Sequence, residues 1–166
     1  MRPATCEDAD DVLVLVRDCV DDMRRCGIEQ WDDAYPDRMT VEEDIRRCEA
    51  FVATLQTRLV GYVALGVGQD PDYAEVPWEF AAGPAVVIHR LMVDPEYQGR
   101  GFAKVLMSFA ENHALTSGYR IVRLDAFLGN PRALHLYERL GYRDAGTLRH
   151  RTGQFRCFER ELPTAG

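Results

Sequence analysis

Apolar residues recur at two spacings along this 166-residue chain, and the switching between them lays out its elements. Near the start, Val12, Leu13, Val16, Cys19, Val20 and Met23 fall three and four apart, the spacing of one buried helix face. Thr5, with Asp8 three residues on, makes a capping-box start for that helix, and Gly27 is its stop. A second, short helix is expected from Thr40, with Glu43 as its box acid and Ile45 and Cys48 turned inward. Phe51 to Leu55 and Leu59 to Val67 then read as a hairpin closed by a tight Gln-Thr-Arg turn. Gly68 to Pro84 holds three prolines and Trp78 and reads as a long loop, a kind that is usually functional or disordered. Arg2 to Ala4 leaves room only for a short first strand.

The stretch that organises the chain runs from Ile88 to Lys104. It reads as a buried strand ending at Val93, a turn opened by Asp94-Pro95, and a glycine-rich crook feeding a helix that begins near Gly101. Phe102, Val105, Leu106, Phe109, Ala110, His113 and Ala114 make the apolar face of that helix. Arg120 to Phe127 is a further strand. Asn130-Pro131 then opens a helix in the preferred order of N-cap and first turn, and Gly141 closes it. Two last strands, about Tyr142 to Leu148 and Gln154 to Leu162, flank a turn at Thr152-Gly153. Strand, two helices, three strands, helix, strand, helix, two strands is the order of a mixed sheet with helices on its faces, an α/β or α+β arrangement.

Length and charge narrow the function classes. The chain is of a size that buries about two-thirds of its unfolded surface, and residues 1–166 are read as one domain. A net charge of −7 and a pI near 5.1, with no Lys/Arg run, argue against a nucleic-acid partner and suit a cationic small substrate better. Cys6, Cys19, Cys26, Cys48 and Cys157 are odd in number and widely spread, so neither a disulfide framework nor a metal site is indicated. Cys19 falls on the apolar helix face, as a small hydrophobe would. With no apolar leader and no run of membrane length, the expected setting is cytoplasmic, away from membranes.

The crook carries the first chemistry. Free amides at a helix N-terminus, with the positive end of the dipole behind them, make a site for phosphate, and Gly99 and Gly101 let an anion approach the main chain. The same glycines also serve a turn that merely needs positive φ. The third small residue of the dinucleotide fingerprint is missing, and so is the Lys-Ser/Thr of a P-loop. What is present is Gln98-x-x-Gly101-x-Ala103, and here the chain resembles the GNAT superfamily of acyl-CoA N-acyltransferases. The element order is also that of the GNAT fold, a mixed and mostly antiparallel sheet with helices on both faces, so the resemblance covers nearly the whole chain. Gly27-Ile28-Glu29-Gln30-Trp31-Asp32, Tyr35-Pro36, Ile88 to Val93 and Arg123 to Phe127 resemble small single-domain bacterial members, many without an assigned substrate.

The resemblance implies acetyl-CoA as cofactor and transfer of its acetyl group to an amine of a small molecule or peptide. It implies that the amides of Gln98, Gly99, Arg100, Gly101, Phe102, Ala103 and Lys104 hold the pyrophosphate, and that Leu91, Met92 and Val93 lend main-chain groups to the pantetheine arm. The Gln98 side chain either joins them or braces the turn. Met92 or Val93 would hold the oxyanion by its N–H. Asn130 would contact the cofactor arm, and Tyr137, seven residues and two helical turns on, would give a proton to the leaving thiol. By spacing alone, Asn130 is equally a cap and Tyr137 equally a packing residue.

Members of the family that use a strand glutamate as base place it six residues before the position of Val93. Here that residue is Val87. His89 has the right intrinsic pKa and alternates onto the face of Leu91 and Val93; Glu79, Asp125 and a water chain are the other candidates. Trp31, Tyr35, Trp78 and Glu79 lie in the connections that flank the acceptor side in this fold, where aromatics beside carboxylates suit an ammonium group. Arg90 would instead meet an acidic acceptor or pair with Asp125. No cysteine lies in the motifs, so direct attack of the amine in a ternary complex is expected, not a covalent enzyme intermediate. The competing reading is a non-catalytic module that binds or senses acyl-CoA. The closing hairpin, with Phe155 and Phe158, either pairs two copies into a homodimer or completes the core.

Overall fold

The computed structural model describes residues 1–80 and 83–163. Among the described residues, seven strands form one mixed sheet in the order β1-β2-β3-β4-β5-β7-β6, where β1 is Arg2–Pro3, β2 Ala50–Leu55, β3 Arg58–Gly66, β4 Ala85–Val93, β5 Ile121–Phe127, β6 Arg143–His150 and β7 Gly153–Glu161. The sheet is mostly antiparallel, with β4 and β5 parallel. Four α-helices accompany it among the described residues: α1 Ala9–Arg25, α2 Arg38–Arg46, α3 Phe102–Thr116 and α4 Pro131–Arg139. No helix of the described residues is long and apolar enough to cross a membrane.

The chain divides into two compact units. The first comprises Met1–Leu65 and Arg90–Ala110. Thr5 and Asp8 form the expected capping box, closing a single 3-10 turn, Cys6–Asp8, ahead of α1. Arg2 grips both oxygens of Asp8 at 2.6 and 2.7 Å and holds that carboxyl far below the usual carboxylate range. The buried face of α1 is Ala9, Val12, Leu15, Val16, Cys19 and Val20, packed with Val41 and Ile45 of α2 and with Ala50, Val52, Tyr62, Ala64 and Met92 of the strands. Each buried Val, Leu, Ile or Met of that set contributes roughly 1.5–3 kcal/mol on leaving water. Gly61 of β3 is required by close approach: a Cβ there would meet Leu106 Cδ1 of α3 at 3.1 Å.

Three local expectations need correcting in this unit. The second helix begins at Arg38 under an Asp37 cap, whose carboxylate accepts from Thr40 N at 2.8 Å and from Thr40 Oγ1 at 2.6 Å, so Thr40 lies inside the first turn. Cys48 lies past its end at φ 58° and is exposed, because the chain must turn sharply into β2. On α3, Met107 is buried while Val105 is 59% exposed, so the inward stripe is Leu106, Met107, Ala110 and Ala114.

The second unit comprises Gly66–His89 and Glu111–Gly166. The long β3–β4 connection folds through a 3-10 turn, Pro71–Glu75, that buries Tyr73 and Val76 against Val87, Ala145, Leu148, Phe155 and Cys157. β5 pairs with β7 along its whole length, from Ile121 opposite Glu161 to Phe127 opposite Phe155. The hairpin to β6 closes at His150 opposite Gly153, two residues beyond the expected strand end.

Candidate active site

In the first unit the chain turns as its sequence requires. Asp94 accepts from Glu96 N at 2.9 Å, Pro95 opens a 3-10 turn, and Gly99 and Gly101 take φ of 73° and 87° before α3 starts at Phe102. A Cβ built on either glycine meets nothing within 4 Å, so open space lies beside the main chain at both. Val105 N–H to Gly101 O, 3.2 Å, is the bond through which α3 joins the crook. The amides of Phe102, Ala103 and Lys104 therefore belong to the first turn, which no helical carbonyl serves. Arg58 and Arg100 both lie over the Tyr97 ring, at 5.4 and 5.5 Å, and Tyr97 stands edge-on to Phe102 at 5.6 Å. The residues present fit a phosphate-bearing ligand: positive-φ glycines, open space, first-turn amides and an arginine.

Gln98 Nε2 donates to Val93 O at 3.1 Å, so its side chain braces the crook against the end of β4. Cys19 Sγ reaches the same oxygen at 3.5 Å, which engages both lone pairs of that carbonyl. Asp94 N–H points to Val60 O of β3. Alternation then turns the main-chain groups of Met92 toward β3 and those of Leu91 and Val93 away from it. Burial pushes the Cys19 thiol up to about 12.

Of the aromatic acceptor candidates here, Trp31 packs against the hydrophobic cluster of α1 and α2. Tyr35 is partly exposed, and its hydroxyl accepts from Arg90 Nη1 at 2.6 Å. Arg90 does not pair with Asp125. It is buried against Asp44 of α2, bonded through Nε to Oδ2 at 2.8 Å and through Nη2 to Oδ1, and Tyr62 Oη donates to the same carboxylate at 2.7 Å. A guanidinium inside an apolar strand needs a buried counter-charge, and the nearby helix supplies it.

In the second unit the parallel ladder of β4 on β5 runs from Ala85 opposite Ile121 to Ile88 opposite Leu124. β4 continues to Val93 and β5 to Phe127 beyond the last pair of that ladder. His89, half-buried, is the first residue of β4 past it.

Asn130 caps α4, its side-chain oxygen accepting from Ala133 N at 3.2 Å, with Pro131 in the first turn. Tyr137 is 7% exposed and packs on Tyr142 and Phe158 at ring separations of 6.0 and 5.7 Å. Burial drives its pKa upward, with the charge of Asp125 adding to the effect. The hydroxyl is therefore fully protonated at neutral pH.

Trp78 and Glu79 both have local partners. The Trp78 ring lies under Arg123 at 4.5 Å, and its Nε1 donates to Tyr73 O at 2.8 Å. Glu79 pairs with Arg143 through its side chain and gives its N–H to buried Glu159 at 2.7 Å. Asp125, a base candidate from the sequence, stands on β5 in a cluster with Tyr73 and His150, which the sequence does not single out. Asp125 Oδ2 accepts from Tyr73 Oη at 2.7 Å and lies 3.6 Å from His150 Nε2, while His150 Nδ1 faces Asp70 at 3.9 Å.

Comparison with known proteins places these elements among relatives. The profile described as the acetyltransferase (GNAT) family matches residues 16–142. An uncharacterized N-acetyltransferase of Methanocaldococcus jannaschii is 39% identical over 34% of this chain and 25% of its own length. The spermidine N(1)-acetyltransferase of Vibrio cholerae is 36% identical over 37% of this chain and 39% of its own. The matches thus span well under half of either relative. The S-alkylcysteine N-acetyltransferase of Bacillus subtilis is 26% identical over 85% of this chain and 76% of its own length. Among solved structures, a GNAT-family acetyltransferase from Streptococcus agalactiae superposes with a TM-score of 0.87 at 21% identity, covering 98% of this chain and 95% of that one. The PaiA N-acetyltransferase of Thermoplasma acidophilum, solved in complex with coenzyme A, gives 0.73 at 16% identity, with 96% of each chain covered. At these identities the superpositions speak for the fold.

Proposed function

Since this chain belongs to the acetyltransferase (GNAT) family, whose members use acetyl-CoA, we propose that it is an N-acetyltransferase acting as a single domain of residues 1–166. The acceptor is a primary amine of a small molecule or peptide, and transfer is direct, within a ternary complex. The observation that carries this reading is the crook, where two glycines at positive φ open the main chain at the start of α3. Relatives named for spermidine and for S-alkylcysteine support an amine acceptor without choosing between them.

In this reading the amides from Gln98 to Lys104 hold the pyrophosphate of the cofactor, which supplies an acyl group activated as a thioester. Leu91 offers the pantetheine arm the main-chain groups that alternation turns away from β3, while Val93, its carbonyl engaged by Gln98 and Cys19, keeps only its N–H to offer. The same N–H is the candidate to hold the developing oxyanion. Asn130 contacts the arm while capping α4, and Tyr137 gives a proton to the departing thiol. Cys19, kept protonated by burial, is no nucleophile, which favours direct transfer. The residues proposed to meet the acceptor are Trp31 and Tyr35 in the first unit and Trp78 and Glu79 in the second, of which Tyr35 and Glu79 are the exposed ones.

Thiol release from acetyl-CoA across a panel of polyamines, amino acids and peptide N-termini tests the reading, with at least one amine expected to accelerate release. Coenzyme A binding by calorimetry with no release for any acceptor would establish the non-catalytic module in its place.

The crook has its own test in a matched pair of glycines. Gly101 and Gly118 have φ of 87° and 88°, and a Cβ meets nothing within 4 Å at either. Gly101→Ala and Gly118→Ala should each lose about 1–2 kcal/mol of stability to left-handed strain. Only Gly101→Ala is expected to weaken coenzyme A binding, by about tenfold or more, because its methyl intrudes where the anion approaches. Equal affinities of the two variants would remove the crook from the cofactor site.

A further inference from the structure

We infer that His150, at the end of β6, is the base that takes the proton from the acceptor ammonium, held for that task by Asp125 of β5. The inference rests on the acetyltransferase reading and gives it the base that Val87 cannot supply. An alkylammonium with a pKa of about 10.4 is almost wholly protonated at pH 7, so attack on a thioester requires a group to receive that proton.

The register of β5 against β7 shows how the cluster is oriented. Leu124 stands opposite Phe158 and Asp125 opposite Cys157, so the two pairs point to opposite faces of the sheet. Tyr137 packs on Phe158, on the Leu124 face. Tyr73, Phe155 and Cys157 share a cluster on the Asp125 face, and His150 packs its ring on Phe155 at 4.8 Å. The proton donor for the thiol and the proton acceptor for the amine thus lie on opposite faces of one strand end. That arrangement lets an amine approach from one side while the thiol leaves on the other.

The imidazole has the environment of a base in place. Its Nε2 is 3.6 Å from Asp125 Oδ2, just beyond hydrogen-bond length, and its Nδ1 is 3.9 Å from Asp70 Oδ2. Tyr73 Oη holds Asp125 at 2.7 Å and so fixes the carboxylate from below. The groups facing His150 are Asp70, Asp72 and Tyr73 from the β3–β4 connection, Asp125 from β5, and Phe155 from β7. Its side chain is 26% exposed, open enough to meet a substrate and to return a proton to water. Asp125 raises the imidazole above its ordinary 6.5, the three carboxylates together outweighing burial.

The step balances simply. The ammonium N–H bond breaks toward a neutral imidazole nitrogen, giving a free amine and an imidazolium stabilised by Asp125. The amine nitrogen bonds to the acyl carbon, the carbon–sulfur bond breaks with its electron pair going to sulfur, and the thiolate takes the proton of Tyr137; the nitrogen loses its second proton as the amide forms, which by way of solvent restores the tyrosine, and the imidazolium releases its own proton to solvent.

The test is the pH profile of kcat/KM for the best acceptor of the panel, measured on the full chain with His150→Gln, Asp125→Asn and His89→Gln. Wild type should show activity rising with pH through an ionisation above 6.5, the range in which His150 loses its proton. His150→Gln should lose that limb and about 10²-fold in kcat/KM, with coenzyme A affinity by calorimetry unchanged. Asp125→Asn should keep the limb but move it to lower pH, a shift that a purely structural role would not produce. His89→Gln should keep the limb in place. A His150→Gln enzyme with wild-type rate and profile overturns the assignment, as does loss of the limb in His89→Gln alone. A wild-type chain that releases no thiol with any amine while still binding coenzyme A overturns the acetyltransferase reading itself, and the base with it.

Discussion

Replacing Asp44 by Asn is expected to cost about 3–5 kcal/mol of stability, a large share of the roughly 5–15 kcal/mol that holds a domain of ordinary size. Asp44 is 4% exposed, and its carboxylate takes two bonds from the Arg90 guanidinium and a third from Tyr62. An Asn keeps the shape and removes the charge, which leaves a guanidinium, itself 9% exposed, buried without its counter-ion. Tyr62, whose pKa burial and Asp44 both raise, would keep a neutral acceptor and lose little. The penalty therefore belongs to Arg90, and the double variant Asp44→Leu, Arg90→Met should recover most of it, since exchanging a buried pair for apolar volume is often neutral. Urea midpoints at constant m would show this. Loss of under about 1 kcal/mol in Asp44→Asn would mean that Arg90 finds water or another partner. The double variant should still lower activity if Tyr35 serves the acceptor, because Arg90 is what orients its hydroxyl.

That pair shows where a sequence stops being legible. Asp44 sits in the run Glu42-Glu43-Asp44, which looks like the wet face of a helix. Its partner lies 46 residues away, and nothing local announces the pairing. Two signals were nonetheless present: an arginine inside the apolar strand Ile88 to Val93 demands a buried anion, and Asp44 shares a helical face with Val41 and Ile45. The crook was legible because its determinants are local. Glycines at positive φ, an Asp-Pro turn and an apolar period of three to four each act within a few residues.

His150 was missed for a related reason. From the sequence the first of the last two strands ends near Leu148 and the turn lies at Thr152-Gly153, which leaves His150 between them in no element, where a lone histidine carries no argument. The hairpin instead runs to His150 opposite Gly153, and β7 brings it to Asp125 of a strand that the sequence places 25 residues earlier. Sheet order, which no local pattern encodes, assembled that cluster. The place of Val105 has a smaller origin: the apolar period of α3 fits two adjacent stripes that share Leu106, Ala110 and Ala114, and tertiary packing buries Met107 and leaves Val105 exposed.

Tyr137→Phe is the substitution expected to cost most in turnover. The departing thiolate has a pKa near 8.5, so at neutral pH it leaves more readily if a proton is shared with it as the bond to carbon breaks. Tyr137 suits that role by what surrounds it. Its ring is fixed between Tyr142 and Phe158, burial and Asp125 keep its proton on, and its hydroxyl makes no hydrogen bond to any described residue. A tyrosine hydroxyl that no protein group engages is free to donate to a partner that arrives with the substrate. Removing the oxygen should lower kcat by about 10²-fold, equivalent to roughly 2.7 kcal/mol of barrier, and leave coenzyme A affinity within about twofold. Tyr142→Phe is the matching control. It deletes a hydroxyl from the neighbouring ring, one that bonds to Glu111 at 3.0 Å, and should cost about 1 kcal/mol of stability with turnover retained. Because Asp125 influences both Tyr137 and His150, Asp125→Asn should also lower the tyrosine pKa while it moves the histidine limb. If Tyr137→Phe turns over at the wild-type rate, water protonates the thiol and the tyrosine is a packing residue of α4.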